Sequence, residues 1–288
     1  MSECIVEGVR LSSPDKILWP DQGVTKSELA DYYLAVADRM LPHVARRPVT
    51  MVRCPVGAEK KCFYQRHAGS GVLPQLREVT VPGFDEPYLY IEDAAGLIAM
   101  VQMGTLEIHP WGVTLDALDK PDRIIFDLDP DEGLGFGDVI AAAHEVRERL
   151  AALDLVSFVK TTGGKGLHVV VPIEPVVPWR EAKSWAKTLS EQIAADAPDR
   201  YLTRISKAER SGRIFIDYLR NDPTSTAVAP YSTRSRPGAP IAMPLEWDEV
   251  APGLDPAAFT VTTGPARVRE VPDPWAAMLE TRQRLPAH

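Results

Sequence analysis

"KTTGGKGLHVVVP", residues 160–172, sets two glycines, a lysine and a third glycine directly ahead of an apolar run. The segments on either side, "LVSFVKT" (155–161) and "LHVVVPI" (167–173), both read as strands, which leaves only residues 162–166 to join them. So short a link between strands points to an α+β or mixed α/β sheet and away from a regular βαβ series. The loop is not a Walker loop. That motif needs Gly-x4-Gly-Lys-Ser/Thr opening a helix, whereas here Gly166 follows Lys165 and the chain runs straight into a strand. Two readings stay open. The glycines can present backbone N–H groups to an anion, with charge from Lys165 and a hydroxyl from Thr161 or Thr162, or the segment is a plain hairpin with an exposed lysine. His168, at the start of an apolar strand, reads as a structural histidine bonded to backbone.

The neighbouring elements follow the same logic. "RIIFDLD" (123–129) and "GRIFIDYL" (212–219) read as strands, and "GDVIAAAHEVRERLAAL" (137–153) and "WREAKSWAKTLSEQIAADA" (179–197) as helices. Earlier, Thr25 and Glu28 have capping-box spacing at the head of "TKSELADYYLAVADRML" (25–41), a helix expected to end at Pro42. "PVTMVRCP", "YLYIE" and "TLEIHPW" read as strands, and "AAGLIAMVQMG" as a helix. The spacing of "GLGFG" (133–137) is wrong for a dinucleotide fingerprint, so a Rossmann fold is a poor fit.

Strand alternation puts Asp127 and Asp129 on one face, with Phe126 and Leu128 on the other. Their Cα atoms lie about 6.6 Å apart, close enough for the carboxylates to converge on hard cations, although an Asp-x-Asp taken alone reads first as an exposed strand end with two solvated carboxylates. Asp217 interrupts an apolar strand, where an unpaired charge is costly to bury. A salt bridge to Arg213 or Arg220 satisfies it, as does a metal shared with the other aspartates; the metal reading is favoured.

The chain has 288 residues, 45% apolar and 25% charged, which is ordinary globular composition. No apolar run approaches the roughly 20 residues of a membrane helix, and the amino terminus has no secretory pattern, so a cytoplasmic chain is expected. The net charge of −8 argues against indiscriminate coating of nucleic acid. Basic patches occur at Arg46, Arg47 and Arg53; at Lys60, Lys61 and Arg66; at Arg204, Lys207, Arg210 and Arg213; and at Arg234 and Arg236. Cys4, Cys54 and Cys62 suit neither a zinc ribbon nor a redox pair and read as free thiols.

In combination these features are more specific than singly. "DKILWP", "GVTKSELADYY", "RPVTMVRCP", "FYQRH", "LEIHPW", "FDLDP", "GGKGLH", "FIDYLRN" and "APYSTR", in this order, resemble the archaeo-eukaryotic primase superfamily. Within it they are most similar to the polymerase domain of bacterial ATP-dependent DNA ligase D and its stand-alone relatives. The resemblance covers essentially the whole chain. It implies one primase-polymerase domain over 1–288, with a mostly antiparallel central sheet flanked by helices. A smaller N-terminal α/β module to about residue 110 would carry DNA-end contacts, and the catalytic module would follow from about 111.

By the same resemblance, Asp127, Asp129 and Asp217 are catalytic and hold two divalent cations, manganese favoured and magnesium second. Thr162, Lys165, His168, Arg220, Arg234 and His109 contact the incoming nucleoside triphosphate, ribo or deoxy. Lys16 and Lys26 take the 5′-phosphate across a gap or break, and Phe63 stacks on the template. Relatives usually carry serine where this chain has Thr162, which keeps the hydroxyl and adds a methyl. The implied activity is a DNA-dependent nucleotidyltransferase that extends primers at gaps or double-strand breaks, with a preference for ribonucleotides. The implied setting is a nucleoid-associated monomer acting with Ku and a DNA ligase. The alternatives are a metal-dependent nuclease, disfavoured by the triphosphate loop, and a catalytically idle end-binding module, disfavoured by the three carboxylates.

Overall fold

The structure, a computed structural model, describes residues 4–69, 71–204 and 210–286. Lys207, read above as part of a basic patch, lies outside the described residues. The chain forms two compact units. The first takes residues 1–111, 228–243 and 257–273, and the second takes 112–227, 244–256 and 274–288. A single boundary near residue 110 therefore understates the connectivity, because two later segments return to the first unit.

The first unit opens with two small antiparallel pairs, β1 (Cys4–Val6) with β2 (Val9–Leu11) and β3 (Ile17–Trp19) with β4 (Val24–Thr25). Helix α1 (Lys26–Val44) starts at the capping box: Thr25 Oγ1 accepts the Glu28 N–H at 3.2 Å, and the Thr25 N–H donates to Glu28 Oε2 at 2.7 Å. Leu29, Tyr32, Tyr33, Val36 and Met40 form its buried face. The helix does not stop at Pro42. Pro42 lacks the N–H that would bond the Asp38 carbonyl, yet helical bonding continues past it, and the final turn closes from the Ala45 N–H to the Leu41 carbonyl at 2.8 Å.

A five-stranded sheet follows, made of β5 (Val49–Arg53), β6 (Phe63–Gln65), β7 (Arg77–Val79), β8 (Tyr88–Tyr90) and β9 (Thr105–Pro110). β5 pairs with β6, β8 and β9, all antiparallel. Helix α2 (Ala94–Gln102) is capped by Asp93, whose carboxylate accepts the Gly96 N–H at 3.0 Å. Cys54 and Cys62 are joined by a disulfide, which corrects the expectation of free thiols there. The β5–β6 register explains it. Met51, Val52 and Arg53 face Gln65, Tyr64 and Phe63, so the next rung sets Cys54 opposite Cys62.

The second unit is built on one six-stranded sheet: β10 (Arg123–Pro130), β11 (Phe158–Thr161), β12 (Leu167–Pro172), β13 (Tyr201–Leu202), β14 (Ile214–Asp217) and β15 (Pro244–Leu245). The order is β13-β14-β10-β12-β11-β15, and only β13–β14 is parallel. This is the α+β class to which the short 162–166 link points, with the mostly antiparallel sheet that the resemblance implies. Helices α3 (Phe136–Ala151) and α4 (Trp179–Asp196) pack on it, with Phe126 of β10 meeting Trp185 of α4. On the opposite face Ile125, Phe158 and Val170 form an apolar cluster with Trp275 and Met278. Among the described residues no helix is long and apolar enough to cross a membrane.

Candidate functional site

Register alone builds the centre of the second unit. Lys160 on β11 faces His168 on β12, His168 faces Asp127 on β10, and Asp127 faces Asp217 on β14. Directly paired residues project to the same side of a sheet, so these four side chains form one polar rung across four strands. Asp129, two residues beyond Asp127, shares that side. One rung in the other direction along the same face lie Ile125, Phe158 and Val170 in their apolar cluster. The face therefore passes from dry core to charged site within a single side-chain repeat.

The carboxylates meet cations of the protein itself. Arg220 reaches both, with Nη2 2.7 Å from Asp217 Oδ2 and Nε 3.5 Å from Asp127 Oδ2. Arg210 Nη1 stands 3.3 Å from Asp129 Oδ2 while its guanidinium covers the Phe215 ring. The charge of Asp217 is thus met by Arg220, the salt bridge that the sequence also allowed. His168 is bonded to a side chain and not to backbone as expected: its Nε2 lies 3.3 Å from Asp127 Oδ1, and its buried Nδ1 has no hydrogen-bond partner.

The titrations follow from these contacts. Burial works to raise Asp127, but the His168 contact and the charges of Arg220 and Lys160 outweigh it and hold its carboxyl at about 2. Burial, then the Asp127 charge, push Asp129 up against the pull of Arg210. Burial likewise raises Asp217, with Arg220 opposing and Asp127 reinforcing. Burial and the Lys160 ammonium lower His168 to about 4, so it is neutral at pH 7. Among the described residues no group of three His, Cys, Asp or Glu side chains is drawn together as a ready metal cage. The donor chemistry nevertheless fits a hard dication: three carboxylates share one face, and two of them are destabilised as anions by burial and by the Asp127 charge.

The hairpin beside the rung is tightly folded. The Thr162 hydroxyl bonds within the loop, donating to the Gly166 carbonyl at 3.1 Å and accepting the Gly166 N–H at 3.3 Å. Thr162 is buried, whereas Lys165 is exposed at the tip. A Cβ on Gly166 would stand 2.5 Å from the Leu128 carbonyl oxygen, so glycine is required by close approach to β10. After β14, Asn221 continues the pairing through its side chain: Oδ1 accepts the Ile125 N–H and Nδ2 donates to the Ile125 carbonyl, each at 2.8 Å. That fixes the turn carrying Arg220.

The first unit holds the remaining candidates. Lys26 is buried, and its Nζ donates to the Ser12 carbonyl at 3.0 Å and to Gln102 Oε1 at 2.8 Å. Burial, then the Lys16 charge, lower it to about 8. Lys16 itself bonds the Pro55 carbonyl. Phe63 is 43% exposed beneath the Arg53 guanidinium, 5.3 Å from the ring centroid. His109 and Arg234 share one buried acceptor: His109 Nε2 and Arg234 Nε each lie 2.9 Å from Glu107 Oε2.

Sequence reasoning missed Glu107, Lys160, Gln102 and Asn221. The signal for the first two was present, since each is a charge inside an otherwise apolar strand, as Asp217 is.

Residues 25–275 match the family described as LigD, primase-polymerase domain. The multifunctional non-homologous end joining protein LigD of Pseudomonas aeruginosa is 37% identical over 291 residues, covering 99% of this chain and 34% of that protein. The bifunctional LigD of Bacillus subtilis is 28% identical, covering 91% of this chain and 43% of that protein. The chain thus spans about a third of the first of these relatives and somewhat more of the second. Among solved structures, the polymerase domain of Mycobacterium tuberculosis ligase D in complex with DNA superposes with a TM-score of 0.88 at 31% identity, over 94% of this chain and 98% of that one. The chain therefore belongs to the LigD primase-polymerase domain family and is, by that membership, a nucleotidyltransferase.

Proposed function

We propose that the chain extends primer 3′ ends on a DNA template at gaps or double-strand breaks, using ribonucleotides in preference to deoxyribonucleotides and recognising the 5′-phosphate beyond the gap. The observation that carries this reading is the rung of Asp127 and Asp217, with Asp129 beside it, next to a glycine hairpin in a chain of this family. Asp127, Asp129 and Asp217 would hold two divalent cations, manganese foremost, which supply positive charge to the attacking and leaving oxygens.

The chain's own groups have distinct tasks. Ionised Asp127 can only accept, so neutral His168 keeps its proton on Nε2, which fixes the imidazole beside the carboxylates. Arg220 pairs with both Asp127 and Asp217 in the free protein and meets triphosphate oxygens when substrate is bound. Lys165 offers an exposed point charge to the same phosphates, and Thr162 shapes the loop that presents it. His109 and Arg234 are assigned the nucleotide as well. Lys16 and Lys26 receive the 5′-phosphate. Burial first, and the Lys16 charge second, make Lys26 more acidic, and an anion bound beside the pair offsets both. Phe63 offers a face on which an unpaired template base stacks. An end-joining role for this chain, in keeping with the names of the longer relatives, with Ku and a DNA ligase as its partners, extends this reading.

The test is a 5′-phosphorylated gapped duplex incubated with manganese and labelled triphosphates. Primer extension is expected, and Asp127→Ala should abolish it while leaving end binding intact. Primer shortening, a bound but unaltered primer, or full activity in Asp127→Ala would each contradict the reading.

A further inference from the structure

Glu107 lies on β9, two residues before His109, and is only 5% exposed. Its two oxygens divide their partners. Oε2 accepts from His109 Nε2 and Arg234 Nε, each at 2.9 Å, and Oε1 accepts from the Ser235 N–H at 2.9 Å and the Ser235 hydroxyl at 2.6 Å. Burial alone would raise this carboxyl, but the His109 bond, the Arg234 and His109 charges and the Ser235 hydroxyl hold it far below the usual range. It is a carboxylate at neutral pH and can only accept, so His109 Nε2 must carry a proton and the ring plane is fixed. The Nε edge of Arg234 is committed to the same oxygen, which sets the direction of its guanidinium.

We propose that Glu107 is a positioning residue that aligns His109 and Arg234 for the polyphosphate of an incoming nucleotide. The inference rests on the reading of His109 and Arg234 as nucleotide contacts. Two donors held in advance by one buried anion lose little rotamer freedom when a polyanion arrives, which favours binding. Because Ser235 uses only the other oxygen, the anchoring of the 234–235 segment can be separated from the alignment of the two donors.

The experiment titrates the full chain with a fluorescent ribonucleoside triphosphate and manganese, measures KM and kcat for primer extension, and follows His109 by 15N NMR. Glu107→Gln should raise Kd and KM about tenfold, with a smaller change in kcat, through the loss of charge-assisted bonds. It should also shift the His109 ring 15N signals, since an amide can donate to Nε2 and no longer requires a proton there. Glu107→Asp, which keeps an acceptor but shortens its reach, should raise Kd in the same direction and serves if the glutamine variant does not fold. Ser235→Ala should change Kd little. Unchanged Kd and His109 15N signals in Glu107→Gln, while His109→Ala and Arg234→Ala weaken binding, would overturn the proposal. So would equal weakening by Ser235→Ala, which would make Glu107 a loop anchor. Wild-type Kd in both His109→Ala and Arg234→Ala would overturn the underlying reading, and the proposal with it.

Discussion

His168 carries the sharpest consequence at the residue scale. Folding lowers its pKa from 6.5 to about 4, chiefly by burial and then by the Lys160 charge. Between those values the unfolded chain binds a proton that the folded chain refuses, so stability falls as pH drops from 6.5 toward 4. Asp127 acts in the same sense at lower pH, since its depressed pKa adds stability above 3.8 that is lost as pH falls through about 2. Urea unfolding should therefore show the wild-type chain losing about 2 kcal/mol more than His168→Gln between pH 7 and pH 5. Equal losses would mean that His168 is not held neutral by its surroundings. At this scale the aspartates were legible because alternation put Asp127 and Asp129 on one face and left Asp217 among apolar neighbours. Glu107 and Lys160 show the same signal, yet their meaning depends on partners that only the fold brings close; Arg234 lies 127 positions from Glu107.

The 162–166 hairpin is the element on which the reading of the sheet turned. Its length dictated antiparallel pairing, and β11–β12 has that pairing. Its internal chemistry was less visible: the Thr162 hydroxyl is taken up by Gly166, and Gly166 is glycine because β10 passes so near. Gly166→Ala should push the hairpin from β10, lower stability by about 1–3 kcal/mol and weaken triphosphate binding, as read by thermal melting and nucleotide titration. Wild-type values for both would show that the loop tolerates displacement without cost to the site. The Cys54–Cys62 bond was hidden for a related reason. Spacing in sequence does not reveal that β5 and β6 pair in the register that sets the two thiols opposite each other. Pro42 was overread as a stop: a proline gives up its own N–H but leaves the N–H groups after it able to bond, and the turn beyond Pro42 closes on the Leu41 carbonyl.

For the whole molecule, the alternation of strands and helices conveyed the class of fold, but not the return of 228–243 and 257–273 to the first unit. The first of those segments carries Arg234 and Ser235, which meet Glu107 on β9, so an assignment by stretches of sequence divides a cluster that the fold assembles. The net charge of −8 is compatible with a DNA substrate because the cations proposed for DNA are few and locally placed. The account as a whole depends on Asp127, Asp129 and Asp217 exchanging arginine partners for divalent ions. A manganese titration followed by electron paramagnetic resonance, with a non-hydrolysable triphosphate present, tests this most directly. Two ions per unaltered chain are predicted, with weakened or lost binding in Asp217→Asn. Unchanged stoichiometry and affinity in that variant would contradict the account.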